Sequence, residues 1–215
     1  FITKQIQDRM KMFEGRDIVI ATKHSKEEVL GPLLQKELGV RWMIPANFDT
    51  DTLGTFSGEV ERELDPLETA RLKCIKALDI TGKDLAIASE GSFGPHPTIF
   101  FSHADDELLL LVDKKNELEI VTRFLTTDTN FNAMVVKSKK ELIDFAKATQ
   151  FPSHGLIMKK SKEEFNEMKK GIVDWDTLSQ HFNFLMEKYQ SAYVETDMRA
   201  MYNPSRMLFI EKVAH

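Results

Sequence analysis

Residues 86–97, AIASEGSFGPHP, combine a carboxylate and glycines with an apolar run of the kind that forms a buried strand. Glu90, Gly91 and Gly94 follow that run, and we interpret them as a loop at the end of the strand. Glycines let a backbone approach a bound anion closely, and an acidic side chain can hold a divalent cation. The segment alone is compatible with a tight turn, a phosphate-binding loop or one corner of a metal site.

Residues 21–27, ATKHSKE, place Lys23 and Lys26 where a strand pattern gives way to a helix pattern. The free N–H groups and the dipole of a helix N-terminus attract anions, and the two lysines add positive charge. The segment has neither the GKS or GKT of a P-loop nor the GxGxxG of a dinucleotide site. A phosphate-binding corner and a solvated, lysine-rich helix start are equally good interpretations.

Two further segments supply charged residues. ETARLKC, residues 68–74, carries Glu68 and Lys73 on one predicted helix. Taken alone, Glu68 would be a helix-capping glutamate and Lys73 a solvated helix lysine. TDMRAMYNPSRM, residues 196–207, contains Arg199 and Arg206. Arginine suits bidentate recognition of phosphate, and salt bridges to the many acidic residues are the alternative.

The polar loop over residues 45–58 half resembles a calcium-binding loop, but its twelfth position is Val60, where a bidentate glutamate is required. We therefore reject an EF-hand. The loop is either a solvated surface loop or one that offers carboxylates to a magnesium-bound substrate, and we expect its DTDTLGT portion to be a mobile lid. The histidines are scattered and form no metal-binding pair by spacing. Ser92 lacks the flanking residues of a hydrolase nucleophile elbow.

The elements that would position these residues alternate between strands and helices before a series of strands begins. Strands are predicted at residues 17–22, 40–44, 84–89, 98–102, 107–113, 118–125 and 155–158. Helices are predicted at residues 25–39, 65–78, 138–150, 174–189 and 204–213. This order predicts an α/β fold, a single domain with a mixed β-sheet flanked by helices, with residues 1–14 as an N-terminal extension.

The amino-acid composition limits the kinds of binding partner and cellular compartment that the protein can have. The 215 residues carry a net charge of -5, which argues against nucleic acid, and 42% of them are hydrophobic, enough for a sizeable core. Cys74 is the single cysteine, which excludes an intrachain disulfide or thiolate zinc site and favours a reducing cytoplasm. We find no membrane-spanning run and expect no membrane partner, while a homodimer stays open.

In order and spacing, these segments resemble the inosine triphosphate pyrophosphatase superfamily, the Ham1 and Maf-like enzymes. Those proteins have a strand, then AT-x-N-x-x-K, then a glutamate, E-N-A-x-x-K-A seven positions later, and a strand ending AIADDSG. Here ATKHSKE, Glu61, ETARLKC and AIASEGSFG follow in that order over residues 17–95, with Glu68 seven positions after Glu61. The sequence departs at His24, which replaces the asparagine, at Lys26, one position early, and at Ser89-Glu90, which replace the paired aspartates.

A closer resemblance, over nearly the whole chain, is to a bacterial family of unknown function. The shared motifs are ATKH, DTDxxGTFSGE, EGSFGPHP, DTNF, FPSHGLI and TDMRAMYNP. This resemblance supplies no activity. It implies that such proteins continue into a cysteine-rich, zinc-ribbon-like tail, so we expect this sequence to be a fragment that lacks the tail.

The superfamily resemblance implies a metal-dependent pyrophosphatase that acts on non-standard nucleoside triphosphates, with Mg²⁺ as cofactor. Glu61 and Glu90 would hold the metal, and Glu68 and Glu90 would be the catalytic residues, with Glu68 as a base or behind the metal ligands. The phosphate-binding residues would be Lys23, Lys26, Lys73, Gly91, Gly94, Arg199 and Arg206. The alternative is a non-enzymatic or regulatory module that binds a nucleotide or another anionic small molecule.

Overall fold

The computed structural model describes residues 11–22, 24–46, 48, 65–99 and 101–215. These residues divide into two compact units. The first is drawn from the chain up to Ser92 together with Asp106–Leu125 and Met207–His215. The second is drawn from Phe93–Asp105 and Thr126–Arg206. Among the described residues, no helix combines the length and the apolar character that a membrane span requires.

The first unit is built on a five-stranded mixed sheet of order β2-β1-β3-β4-β5. Its strands are β1 (Asp17–Ile20), β2 (Arg41–Met43), β3 (Leu85–Pro95), β4 (His103–Asp113) and β5 (Leu118–Thr126). β1 pairs in parallel with β2 and with β3, and Val19 lies opposite Ala86. β4 and β5 are neighbours joined only by residues 114–117, so they form an antiparallel hairpin.

Two helices cover opposite faces of this sheet. Helix α1 (Glu27–Leu38) follows β1, and helix α2 (Pro66–Thr81) precedes β3. α2 packs on the face that carries Val19, Ala86 and Ala88. Because successive strand residues point to opposite faces, Ile18 and Ile20 point to the other face, where α1 covers them and they are buried.

Local chemistry explains where these helices begin and end. Asp65 caps α2, since its carboxylate accepts hydrogen bonds from two N–H groups of the first turn, and Pro66 takes the first helical position. Gly39 and Gly82 end α1 and α2 in the left-handed conformation, with φ of 67° and 65°. The helix start predicted at Asp65 is confirmed.

The second unit is built on a four-stranded antiparallel sheet of order β6-β9-β7-β8. Its strands are β6 (Ala133–Val136), β7 (Leu156–Lys159), β8 (Lys169–Ile172) and β9 (Ala192–Thr196). Helices α3 (Lys139–Ala148) and α4 (Trp175–Tyr189) share one core with this sheet, to which Phe145 and Phe182 contribute. Ser138 begins α3 with a capping box, and Asp174 caps α4.

A last helix, α5 (Pro204–Ala214), follows a short 3₁₀ turn at Ala200–Tyr202. The predicted α/β class with a mixed sheet and flanking helices is confirmed, and the strands predicted at residues 17–22 and 84–89 are present and pair with each other. The strand predicted at residues 98–102 is wrong where the structure describes it, because these residues form the connection between β3 and β4. The sequence does not indicate the second sheet, nor three of its strands, β6, β8 and β9. That the chain is a single domain stays a prediction.

Candidate functional site

The carboxyl end of β1 lies beside Ile87 of β3, at the point where the chain changes direction across the sheet, and β3 continues beyond it to Pro95. From β1 the chain passes through α1 to β2 on one side, and it returns through α2 to β3 on the other side of β1. In open α/β sheets, ligands bind in the crevice outside the carboxyl ends of the strands at such a switch point. By this rule the candidate functional site is the set of residues after β1 together with Ser89 and Glu90 of β3, which we call the switch-point crevice.

Lys26 lies on the α1 side of the crevice. It is the N-cap residue of α1 and is only 5% exposed. Its ammonium group donates a hydrogen bond to Ser89 Oγ at 2.7 Å, and Ser89 is itself buried. Lys26 is therefore not the solvated helix-start lysine of the alternative interpretation, and it lies beside Ser89 of β3.

Lys73 and Glu90 form an ion pair on the α2 side of the crevice. Glu90 points to the same face as Ala88, which belongs to the core beneath α2. The Lys73 ammonium group donates to Glu90 Oε1, and the two side chains are 12% and 4% exposed. Lys73 is thus not the solvated helix lysine that its position in the sequence suggests when taken alone.

Glu90, Gly91 and Gly94 do not form a loop. β3 continues to Pro95, so all three lie within the strand, and the interpretation of residues 90–94 as a loop is wrong. These residues stay in the strand because β3 pairs with β4 along its whole length. At one end of the pair Lys114 N–H donates to Asp84 O at 2.8 Å, and at the other end His96 N–H donates to Ser102 O at 2.8 Å. Gly91 and Gly94 are therefore residues of a paired strand and not of a phosphate-binding loop.

A second buried carboxylate, Glu107, lies on the α1 face of the sheet. The two hydrogen bonds at the ends of β3 and β4 give the same register, which places Glu107 opposite Gly91. Leu108, the next residue, faces α2, so Glu107 faces α1, and it is 1% exposed. The sequence hides this residue, because a charge at the start of the apolar run ELLLLVD is usually solvated.

Glu68 lies in the first turn of α2, and its carboxylate accepts a hydrogen bond from Arg71. The Glu68 side chain is 51% exposed, in contrast to Glu90. Arg71 also donates to Glu119 on β5 at 2.8 Å, and these hydrogen bonds lower the pKa of the Glu119 carboxyl. Glu68 therefore belongs to an exposed charge network on the α2 face.

Several predicted residues cannot be compared with the structure. Lys23, Glu61 and the DTDTLGT loop lie outside the described residues. Within the described ranges, no three His, Cys, Asp or Glu side chains come together as a metal site would require. Glu90 is therefore the predicted metal ligand whose surroundings are known, and its described partner is a lysine.

Gly94, Arg199 and Arg206 belong to the second unit. The Arg199 guanidinium binds Asp197 at 2.6 Å and lies 4.5 Å over the Tyr202 ring. Arg206 is 1% exposed and donates to a backbone carbonyl within its own unit. Arg199 thus forms the salt bridge that the alternative interpretation predicts, and Arg206 binds the backbone of its own unit.

His154 and Ser205 form a pair that sequence spacing does not indicate. Ser205 Oγ lies 2.8 Å from His154 Nε2, and the Ser205 N–H donates to the same nitrogen at 3.3 Å. Nε2 is therefore the acceptor, and the imidazole proton is on Nδ1, which lies 3.0 Å from Ser153 Oγ. A nucleophilic serine would share the Oγ contact, but the N–H contact shows that His154 caps the first turn of α5.

Residues 73–215, about two thirds of the chain, match the family described as a domain of unknown function (DUF6671). The chain belongs to the DUF6671 family. Lys73, Glu90 and Glu107 lie within the matched residues, whereas Lys26 precedes them. No curated protein matches the chain. The family thus covers the second unit and the β3 end of the crevice, and it leaves the activity to be argued from the site.

Proposed function

We propose that this DUF6671 protein is a magnesium-dependent pyrophosphatase that hydrolyses nucleoside triphosphates to a monophosphate and pyrophosphate. One observation carries the proposal: two lysines, Lys26 and Lys73, contact the adjacent residues Ser89 and Glu90 at the switch point of the sheet. The order of the segments along the chain is like that of the Ham1 and Maf-like enzymes. That likeness supports the same activity and extends the proposal to non-standard nucleotides.

The charge at the crevice suits a triphosphate. Lysine is seldom buried unless it is paired, and both lysines are largely buried beside a partner: Lys26 is 5% exposed next to Ser89, and the Lys73 side chain is 12% exposed next to Glu90. A triphosphate in the crevice would be within reach of ammonium groups from both faces of the sheet, and of the first N–H groups of α1. Such contacts are stronger at a partly desolvated site than on an open surface.

Glu90 suits a magnesium ion that also contacts phosphate oxygens. Mg²⁺ in nucleotide sites is held by one or two carboxylates together with the substrate phosphates, and we propose Glu90 and Glu61 for these two. When bound, such an ion would neutralise phosphate charge and make a water molecule more acidic. We propose that Lys73 then leaves Glu90 and binds a phosphate oxygen of the substrate. The same lysine thus pairs with Glu90 in the free protein and with the phosphate in the complex.

Glu68 is the proposed base for the attacking water. It lies in the first turn of the helix that carries Lys73, and its carboxylate is open to solvent. Arg71 binds the Glu68 carboxylate and fixes its orientation, which is a condition for proton abstraction from a positioned water. Gly91 lies directly after Glu90 and faces the α1 side of the sheet, and we propose that its lack of a side chain lets a phosphate approach the strand there.

A non-enzymatic nucleotide- or anion-binding module is the second candidate, and one observation favours it. Both carboxylates of the proposed chemistry already have a cationic partner, Lys73 for Glu90 and Arg71 for Glu68. A module that only binds an anion would use the lysines and leave these ion pairs in place. The two functions differ in whether bound nucleotide is cleaved.

The test is a panel of nucleoside triphosphates (ATP, GTP, ITP, XTP and dUTP) with Mg²⁺, assayed for released pyrophosphate. We expect Mg²⁺-dependent release, and a loss of at least about 100-fold in Lys73→Met, the order of effect for removing a charge that stabilises the transition state. Lys114→Met is the matched control, because Lys114 is paired with Asp79 far along α2 from Glu90. Saturable binding without pyrophosphate would favour the module, and neither binding nor release would contradict both functions.

A further inference from the structure

We propose that two copies of this chain associate through β5, which pairs with β5 of the second copy in antiparallel orientation about Val121. β5 is the last strand in the order of its sheet, so its outer edge carries N–H and C=O groups that no other described strand bonds. Four apolar side chains of this one strand are exposed: Ile120 by 44%, Val121 by 47%, Phe124 by 60% and Leu125 by 37%.

Both faces of this edge strand carry exposed apolar side chains. Ile120 and Phe124 point to one face, and Val121 and Leu125 point to the other, because side chains alternate along a strand. The apolar surface continues from Phe124, whose ring packs edge-on against Phe209, to Leu208, which is 59% exposed. A long edge strand of this composition promotes association with other strands unless a partner covers it.

The charges on β5 identify the partner as a second copy. Antiparallel pairing centred on Val121 puts Glu119 opposite Arg123 of the other copy, and the two-fold axis repeats this pair on the other side. Leu118 then lies opposite Phe124, so apolar side chains meet apolar side chains. Opposite charges directly across a strand pair stabilise it, and like charges would destabilise it.

Neighbouring registers lack this match. Pairing centred on Thr122 puts Glu119 opposite Leu125, and pairing centred on Ile120 puts Glu119 opposite Val121. Within one copy, Glu119 already binds Arg71, and Arg123 binds Asp106 at 2.5 Å. The register about Val121 therefore joins the two ion pairs of each copy into a row of alternating charges.

A two-fold axis is what makes one surface complementary to itself. The pairing would join two five-stranded sheets into one sheet of about ten strands, a size known for open sheets in α/β proteins. An unrelated extended peptide could also add to this edge, but it has no reason to require Glu and Arg at symmetric positions around Val121.

A cysteine at the axis tests the register directly. In Val121→Cys, the two thiols lie on residues about 4.5–5.5 Å apart between Cα atoms, a separation that suits a disulfide. The native Cys74 does not interfere, because burial raises its pKa to about 12. We expect mild oxidation to give a covalent dimer on non-reducing gels. The control is Ile80→Cys, at a position on α2 that is 55% exposed and lies away from β5.

Charge reversal tests the same pairing without a cross-link. Light scattering during gel filtration should show a dimer for the wild type, and Glu119→Arg or Arg123→Glu should weaken it at least tenfold by placing like charges opposite each other. The double variant Glu119→Arg/Arg123→Glu restores opposite charges across the axis and should dimerise more tightly than either single variant, but less tightly than the wild type, because Arg71 and Asp106 then face like charges within each copy. A wild type that stays monomeric at its highest soluble concentration overturns the proposal, as does a dimer that both single variants leave intact or one that Val121→Cys fails to cross-link.

Discussion

The Lys73–Glu90 ion pair is the feature on which both the fold around the crevice and its proposed chemistry depend. Its two side chains are 12% and 4% exposed, so removal of one partner leaves the other charge poorly solvated. Replacing both partners by apolar side chains removes that penalty. The pair therefore allows structural and functional roles to be separated by comparing single and double variants.

We expect Lys73→Met or Glu90→Leu to lower the free energy of unfolding by about 3 kcal/mol each, and the double variant Lys73→Met/Glu90→Leu to lie within about 1 kcal/mol of the wild type. Urea titrations followed by circular dichroism measure all three. If the double variant instead loses the sum of the two single losses, the two side chains act independently and the ion pair is not what stabilises this end of β3.

His154 predicts a pH dependence with a definite sign. Burial lowers the pKa of its imidazole below the ordinary value of 6.5, because the charged form is disfavoured inside the protein. The unfolded chain thus binds more protons than the folded one below about pH 6.5. The contribution of His154 is fully present above that pH and is lost as the pH falls from there towards the folded pKa.

We expect the free energy of unfolding to fall by at most about 1.4 kcal/mol per pH unit and per histidine below pH 6.5. His154→Gln should have a smaller slope between pH 7.5 and 5.5 than the wild type. His181, whose pKa burial also lowers, accounts for part of the remainder. His215→Gln, at an exposed terminal position, serves as the control. An unchanged slope in His154→Gln would mean that His154 titrates alike in both states.

The sequence predicts the structural position of a single residue where nearby residues in the chain determine that position. The caps at Asp65 and Ser138 are examples, and the positions of Lys26 and Glu90 follow from the strand–helix order. Glu107 and the His154–Ser205 pair could not be placed in this way. Their surroundings come from another strand or from a residue 51 positions away, and neither leaves a local pattern.

At the scale of elements, strong periodic patterns identified the helices and the first strands, and pairing decided the rest. Residues 90–94 contain two glycines, which weaken the local preference for a strand. β4 is long enough to pair with all of β3, and this pairing outweighs the local preference. The short strands β6, β8 and β9 have four or five residues each and too little alternation to be recognised without their partners.

Two glycines in the left-handed region give a matched test of packing around the second sheet. Gly82 and Gly171 have nearly equal φ values of 65° and 64°. A Cβ on Gly82 would meet open space, whereas one on Gly171 would lie 2.6 Å from the Tyr202 ring. Both alanine variants carry the same backbone strain, and only Gly171→Ala also overlaps an aromatic ring.

Gly82→Ala should lower the free energy of unfolding by about 1 kcal/mol, the usual cost of a left-handed alanine. Gly171→Ala should lower it by about 3 kcal/mol or more, because the ring must move as well. Chemical denaturation of the two variants in parallel makes the comparison. Equal losses at the two positions would show that the Tyr202 ring can move aside at no cost and that its packing does not stabilise β8.

At the scale of the whole molecule, the sequence predicts the α/β class because helices and strands alternate from β1 to β3. It does not reveal the second compact unit, whose sheet joins β6 to β9 across more than fifty residues of chain. Contacts between strands so far apart depend on the folded core and leave no repeat or linker in the sequence. The crevice was more predictable than the second unit, since its residues follow the first strands closely.

The most direct test of the proposed crevice is titration calorimetry of non-hydrolysable analogues of ITP and ATP, with Mg²⁺, into the wild type and into Lys73→Met/Glu90→Leu. The double variant retains the fold by the argument above, which a urea titration on the same sample verifies. Our account predicts Mg²⁺-dependent binding to the wild type and at least about 100-fold weaker binding to the double variant, the loss of about 3 kcal/mol of charge-assisted contacts. Wild-type affinity in a folded double variant would contradict it.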